Sequence, residues 1–192
     1  MLMVCAERAR VEAELVGGLL ACPSCRGVLG PWGHARERVL RGGEGRLRPR
    51  RAKCRACAKT HVLLPDLCLL RRRDAVAVIG EALVAKAVGG GHRGIAGRLG
   101  VPKDTVRGWL RRFAARAEQV RAHFARWAVA LDPELGSIVP AGSVFADALE
   151  AIAVAVRAWV LRFGPREAWR IAAALSGGVL LCHTSCPFPP MR

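Results

Sequence analysis

Apolar residues between positions 74 and 131 recur every three to four residues, which is the spacing of one face of an α-helix. The first such stretch ends at the glycine run 89–91, and Asp74 at its start can cap the helix through a side-chain oxygen. The region is therefore predicted to begin with an amphipathic helix. Its apolar face consists of Val76, Ile79, Leu83 and Ala87.

The same periodicity predicts further helices along the chain. A short helix is expected at residues 92–99, and another begins at Pro102 or Lys103 after a turn at Gly100. The pattern resumes between positions 143 and 178, where one apolar face is long enough to support two interpretations. In the simpler interpretation, this face packs against the preceding helix. In the other, it forms a homodimer interface. This face consists of Phe145, Leu149, Ile152, Val156, Trp159 or Val160, and Phe163.

The front of the chain has a different pattern. Residues 1–20 are predicted to be a helical lead-in, and residues 21–65 contain two strand-like runs, around 28–40 and 47–64. Because this part has too few apolar side chains to form a core by itself, it needs a further cross-link, such as a bound metal ion. At the other end of the chain, residues 179–192 are predicted to be a flexible tail.

Two cysteine pairs can supply that cross-link. Cys22 and Cys25 form one C-x2-C pair, and Cys54 and Cys57 form a second after 28 intervening residues. Each pair places two thiolates on one side of a tight loop, so that together they offer the four ligands of a tetrahedral Zn²⁺ site. Four sulfurs leave no open position on the metal, which predicts a structural Zn²⁺ ion rather than a catalytic one.

The other cysteines and histidines are weaker candidates. His34 and His61 lie near enough in sequence to be alternative ligands, but each is more simply a surface or strand histidine. Cys5 and Cys68 stand alone among apolar residues and are interpreted as small buried hydrophobes. A second, weak metal-binding pattern near the C-terminal end comprises Cys182, His183 and Cys186.

The charge of the chain is strongly positive and unevenly distributed. The formal net charge of +16 arises from 31 Lys and Arg against 15 Asp and Glu. Residues 1–131 hold 26 basic and 10 acidic side chains, whereas residues 132–192 hold five of each. This confinement favours a polyanionic partner, either nucleic acid or an anionic membrane surface, over a merely solvated basic surface.

Nothing in the sequence predicts export or membrane insertion. The N-terminal residues interrupt their apolar positions with charge, unlike a secretory signal. The most apolar later stretch, Val144 to Leu161, contains Asp147, Glu150 and Arg157, which are costly to place in lipid. We therefore expect a cytoplasmic protein with reduced cysteines and no membrane partner.

The second cysteine pair carries a resemblance to a known kind of domain. Residues 50–60, RRAKCRACAKT, resemble the second knuckle of zinc ribbons at the front of insertion-sequence transposases. Residues 34–59 carry ten Arg or Lys and two Glu, a density of positive charge that favours phosphates as neighbours. The resemblance implies a metal-stapled ribbon at residues 21–65 that contacts DNA.

A second resemblance lies in the helical region. Residues 95–109 resemble the helix-turn-helix of many bacterial regulators, recombinases and transposases, in which a small residue, here Ala96, lies at the helix crossing. Gly100 corresponds to the glycine of the turn. Pro102 departs from the usual Ser or Asp cap, and Gly108 weakens the third helix by about 1 kcal/mol relative to Ala. The shared core positions are Ile95, Leu99, Val101, Val106 and Trp109.

This resemblance implies double-stranded DNA as the partner of a unit spanning residues 74–131. Side chains that project away from the Val106 and Trp109 face would enter the major groove, where Arg binds guanine and Asp accepts from cytosine. The predicted DNA-contacting residues of the third helix are Lys103, Asp104, Thr105, Arg107, Gly108, Arg111 and Arg112. Phosphate contacts are predicted for Arg93, Arg98, Arg112 and Arg116.

These observations predict a mainly α fold: a helix-turn-helix three-helix unit with a small N-terminal β zinc ribbon and a C-terminal helical extension. The expected function is sequence-specific DNA binding, as a transcriptional regulator or a transposition accessory protein. About 60 residues follow position 131, too few for a metal-dependent DNA-cutting domain, so neither catalysis nor a small-molecule substrate is expected. The alternative is a module held together by zinc that binds RNA or another protein. In that case the basic three-helix unit would be a bundle that docks onto a protein.

Overall fold

The structure is a computed structural model that describes residues 1–43 and 45–189. Within these ranges the chain forms seven helices and six short strands, so the prediction of a mainly α fold is confirmed. None of the described helices is both long and apolar enough to cross a membrane. The strands are β1 Leu2–Val4, β2 Leu29–His34, β3 Arg38–Val39, β4 Arg46–Leu47, β5 Arg50–Cys54 and β6 Thr60–Pro65. The helices are α1 Arg8–Val16, α2 Val76–Ala87, α3 His92–Leu99, α4 Lys103–Ala114, α5 Ala117–Leu131, α6 Val144–Phe163 and α7 Ala168–Leu175.

The N-terminal part is a small mixed sheet with the strand order β1-β6-β5-β2. β1 runs parallel to β6, with Leu2 opposite Leu63, and the other two pairings are antiparallel. Helix α1 buries Val11 and Leu15 in the same small core. The predicted helical lead-in at residues 1–20 contains α1, but a strand, β1, precedes that helix.

A small hairpin is formed by β3 and β4, which have two residues each and lie between β2 and β5 in the sequence. It packs against the helical part of the chain. Gly42 lies in its connecting loop at φ 71°, and a Cβ atom there would come within 2.3 Å of Val78 Cγ2 on α2. Only glycine satisfies both the left-handed backbone and this close approach. Glu44, also part of the loop predicted here, lies outside the described residues.

The helical part has one large apolar core. Helices α5 and α6 pack along their lengths, and α2, α4 and α7 complete the core. A Cβ atom at Gly80 of α2 would lie 2.0 Å from Trp169 Cε2, so the indole occupies the space that any other residue would fill. Ser143 caps α6 by accepting a hydrogen bond from the backbone N–H of Ala146 at 3.2 Å.

The apolar face of α6 lies inside this core. Ile152 and Val156 are buried, and Phe145 and Leu149 are half-buried against the same cluster. Of the predicted stripe, Phe163 at the end of the helix is the exposed member. Most of this apolar face therefore packs within the chain, as in the first of the two interpretations, and is not available as a dimer interface.

Two local predictions about the helical part were wrong. Asp74 does not cap α2, whose N-cap is Ala75; instead its carboxylate lies 2.8 Å from Arg41 Nε and is buried. The predicted flexible tail is partly core, because Leu180 and Leu181 are 1% exposed. Residues 190–192, also assigned to the tail, lie outside the described residues.

Candidate metal centre and basic surface

Four cysteine side chains meet at one end of the mixed sheet. Cys22 and Cys25 lie in the loop before β2, Cys54 ends β5, and Cys57 lies in the turn to β6. Their sulfur atoms all lie within 4.8 Å of one another, with Cys22 and Cys57 3.7 Å apart and Cys25 and Cys54 3.5 Å apart. The structure therefore brings together all four predicted metal ligands.

The two cysteine loops share one backbone geometry. The backbone N–H of Cys22 donates to the carbonyl of Gly27 at 2.8 Å, and that of Cys54 donates to the carbonyl of Lys59 at 2.9 Å. In each loop the residue after the second cysteine adopts a left-handed backbone, which costs a residue with a Cβ atom about 1–2 kcal/mol. These residues are Arg26 with φ 63° and Ala58 with φ 56°.

Hydrogen bonds prepare the cluster for a cation. Burial raises the pKa of the Cys22 thiol, but backbone N–H groups of Ser24 and Cys25 and the neighbouring thiols outweigh it and lower that pKa to about 6. The backbone N–H of Cys57 similarly lowers the pKa of Cys54 against the effect of burial. Since the thiolate is the metal-binding form, these two shifts favour a bound cation. For Cys25, the backbone N–H of Gly27 lowers the pKa, but the neighbouring thiols of Cys57 and Cys54 outweigh it and raise that pKa to about 12.

The two shortest distances between sulfur atoms fit a tetrahedral ion. With metal–sulfur bonds of about 2.3 Å, a tetrahedron has edges of about 3.8 Å, close to the shortest sulfur distances here. In the described part of the chain, this is the one group of three or more His, Cys, Asp or Glu side chains that could hold a metal ion. The weaker pattern of Cys182, His183 and Cys186 does not form such a cluster.

His61 is the neighbour of the cluster whose place the sequence did not reveal. It lies on β6, is 6% exposed, and its Nε2 is 3.3 Å from Cys22 Sγ. A protonated Nε2 can donate to the thiolate and orient it without being a ligand. His34, the other alternative ligand, is exposed on β2. The position of His61 four residues after Cys57 was a signal, but only the pairing of β6 with β5 shows that the ring faces the cluster.

The second candidate site is the surface of α3 and α4. The two helices are joined by Gly100, at φ 62°, and their buried contact includes Ile95, Val106 and Trp109. Leu99 is half-buried, whereas Ala96 and Val101 are buried as expected. The predicted core positions thus lie inside, which leaves the opposite faces of both helices in solvent.

The predicted DNA-contacting residues lie mostly on these open faces. We call Lys103, Arg107 and Arg111 the basic face of α4; all three are exposed, and none forms a salt bridge with any described residue. Asp104 beside them is exposed, as are Arg93 and Arg98 on α3. Those that are half-buried are Thr105, Gly108 and Arg112.

Arg116 has a different role from the predicted phosphate contact. It is 1% exposed, and its guanidinium donates to the carbonyls of Val179 at 2.9 Å and Cys186 at 2.8 Å. Burial lowers its pKa, although the nearby thiols of Cys186 and Cys182 oppose the shift. Arg116, the N-cap residue of α5, therefore fixes the C-terminal segment to the start of that helix, and its prediction as a phosphate ligand was wrong.

Several cations of the mixed sheet and its hairpin are also engaged within the protein. Arg50 lies 2.7 Å from Glu12, and Arg46 lies 2.8 Å from Glu37. Lys53 has an aromatic neighbour instead: its ammonium group lies 4.4 Å from the ring centre of Trp32, a side chain that is 52% exposed. The positive surface of the sheet is therefore smaller than its ten basic residues suggested.

Comparison of the chain with protein-family models, curated proteins and solved structures found no match.

Proposed function

We propose that this chain binds double-stranded DNA by placing α4 in the major groove, with the cysteine cluster holding a structural Zn²⁺ ion. The observation that carries the proposal is the basic face of α4: three exposed cations that form no salt bridge with any described residue, on a helix whose opposite side is buried. Exposed like charges so close together repel one another unless an anion lies between them. A DNA duplex supplies phosphates along both strands and base edges in the groove between them.

The geometry of the two-helix unit supports reading by α4. The major groove is about 12 Å wide and admits one α-helix, whose first turns contact base edges in this docking mode. Arg107 is one turn into α4, and its planar guanidinium can bind guanine O6 and N7 together. Asp104, in the first turn, can accept from cytosine N4. Exposed Arg93 and Arg98 on α3 are assigned to phosphates.

The donor set of the cluster supports zinc. Four thiolates arranged tetrahedrally are typical of structural Zn²⁺ sites, in which the metal contributes folding energy. The two left-handed cysteine loops carry a conformational cost that an ion bound by all four sulfurs would offset. Zn²⁺ there would fix the end of the sheet beside Lys53 and Arg55. The proposal assigns no catalytic step to this chain, and its biological setting would be transcriptional regulation or transposition.

The deciding experiment selects preferred duplexes from a random pool and compares the wild type with Arg107→Ala. We expect the variant to lose about 1–3 kcal/mol on the preferred site and to relax base preference at one position. Arg98→Ala, an exposed arginine of α3, is the matched control, since removal of a phosphate ligand weakens binding to all sequences equally. An equal loss on every sequence for Arg107→Ala would contradict base reading by this residue.

A second candidate, binding of single-stranded RNA, is favoured by one observation. Trp32 is half exposed beside Lys53 on the edge strand β2, and an exposed aromatic ring among cations can stack an unpaired base. The same binding experiment separates the two functions when unlabelled single-stranded RNA competes with the selected duplex. Stronger competition by RNA than by the duplex itself would favour this second function.

A further inference from the structure

A cleft lined by arginines lies beside the N-terminal end of α4. It has a volume of about 450 Å³, and its floor includes Thr105 and Trp109. We call it the arginine cleft. The arginines come from three segments: the loop after β3, the connector between β6 and α2, and α4 itself. They are Arg41, Arg71, Arg72, Arg73 and Arg112.

The positive charge in the cleft exceeds what its acids can balance. Asp74 is buried and lies 2.8 Å from Arg41, which leaves Asp104 at the rim as the other acid of the lining. Burial lowers the pKa of Arg72, and the charge of Arg112 lowers it further. Two partly buried guanidinium groups thus repel each other across the cleft, a situation that an anion between them would relieve.

The cleft is held in shape by hydrogen bonds. Arg72 donates to the carbonyl of Leu181 at 2.8 Å, and the backbone N–H of Arg41 donates to the carbonyl of Arg73 at 2.8 Å. Arg71 adopts a left-handed backbone, φ 58°, in the turn that presents the three consecutive arginines. A residue with a Cβ atom holds this conformation only where its surroundings impose it. The Arg72 guanidinium and the backbone of the connector are therefore in place before any ligand arrives, while the exposed side chains of Arg71 and Arg73 can turn toward it.

We propose that the arginine cleft binds a backbone phosphate of the DNA duplex that α4 reads, an inference that rests on the proposed function. Arginine forks match phosphate oxygens, and several of them around one concave site suit a phosphodiester better than a planar carboxylate. The carboxylate of Asp104, which also lines the cleft, repels an anion, so the phosphate would bind on the side of the arginines. The phosphate would fix the register of α4, because the connector and the helix would then bind the same duplex.

The test uses the full chain carrying Arg71→Gln and Arg73→Gln together. Both side chains are exposed, and neither donates a hydrogen bond to any other residue of the described ranges, so the fold should tolerate the change. We expect affinity for the selected duplex to fall about ten-fold at about 0.1 M salt for each phosphate that is no longer bound. The slope of log affinity against log salt should fall by about 1, with base preference unchanged.

The control variant is Arg157→Gln with Arg162→Gln, which removes two exposed charges of α6 outside the cleft. Equal affinity and salt slope in the two double variants would overturn the proposal. A change of base preference in the cleft variant would also overturn it, because a phosphate contact carries no sequence information. Pyrophosphate is added to test whether the cleft binds a free phosphate compound instead of DNA. If it stabilises the wild type but not the cleft variant against heat, while duplex affinity is the same in both, the cleft binds a free phosphate compound and not DNA.

The proposed function and the cleft can fail separately. If Arg107→Ala leaves base preference intact while the cleft variant shows the expected losses, base reading by α4 is wrong and the phosphate site stands. If Arg107→Ala behaves as expected and the cleft variant matches its control, the cleft proposal alone is wrong.

Discussion

The sheet part and the helical part of this molecule are stabilised in different ways. Eight of the described residues form the buried apolar core of the sheet, and two of these belong to the four-cysteine cluster. The principal core of the helical part contains 29 buried residues, mostly Ala, Val, Leu and Ile. Apolar burial stabilises by about 25 cal/mol per Å², so the larger core contributes far more to stability than the smaller one.

The difference also explains where each part carries its charge. Helices α3 and α4 bury one face and can leave Lys103, Arg107 and Arg111 in solvent without loss of core. The sheet has fewer such positions and binds part of its charge internally, as in the pair of Arg50 with Glu12. A small domain can remain this basic only if something other than apolar packing holds it together.

Removal of the metal is expected to have the largest effect, and it tests the comparison directly. With a chelator, or with Cys25→Ser, we expect the sheet part to lose about 10 kcal/mol of stabilisation or more and to unfold. The helical signal in circular dichroism should persist, because the large core contains none of the four ligands. Elemental analysis and hydrogen exchange of the strands measure the two outcomes.

Cys5→Ser is the matched control for this experiment, since Cys5 is half-buried and does not belong to the cluster. It should leave zinc content and strand protection as in the wild type. An unchanged metal stoichiometry in Cys25→Ser would contradict the assignment of this cysteine as a ligand.

A buried ion pair couples the two parts, and breaking it is expected to have the next largest effect. Asp66, just after β6, is fully buried; its Oδ1 lies 2.9 Å from Arg170 Nε on α7, and its other oxygen accepts from Arg166. Asp66→Asn leaves two guanidinium groups without their counter-charge, at a cost of about 3 kcal/mol. We expect thermal unfolding, followed by circular dichroism and tryptophan fluorescence, to separate into two transitions.

Glu81→Gln serves as the control for that change, because Glu81 is an exposed carboxylate on α2. It should alter the melting temperature little. A single, undisplaced transition in Asp66→Asn would mean that the pair does not couple the sheet to the helices.

Local signals in the sequence predicted the helices well. The bounds of α3 follow from Gly91 and Gly100, which interrupt the periodicity on either side, and Ser143 marks the start of α6. The four cysteines were equally predictable, because C-x2-C spacing by itself places two sulfurs together. What these signals have in common is that cause and consequence lie within a few residues of each other.

The failures involve partners far apart in the chain. β1 has three residues and exists through its pairing with β6, about 60 residues away, which no local pattern indicates. Asp74 had the right residue type for a cap, but Arg41 competes for its carboxylate. Arg116 looked like a surface cation until the carbonyls of the C-terminal segment were placed around it. The sites that depend on several segments, including the arginine cleft, were for this reason not predictable.

The smallest expected effect separates stability from binding within the helical part. Gly108 lies in the middle of α4, and Ala there should gain up to about 1 kcal/mol from helix propensity. The new Cβ would lie 2.9 Å from the end of the Arg112 side chain, which is flexible and can move aside. We expect Gly108→Ala to raise the melting temperature by a few degrees while lowering duplex affinity, since the methyl group and the displaced guanidinium would occupy the side of α4 that is proposed to enter the groove. Gly97→Ala on α3, where a Cβ meets nothing within 4 Å, should show the gain in stability without the loss in affinity. Unchanged affinity in Gly108→Ala would mean that this side of α4 does not approach the duplex closely.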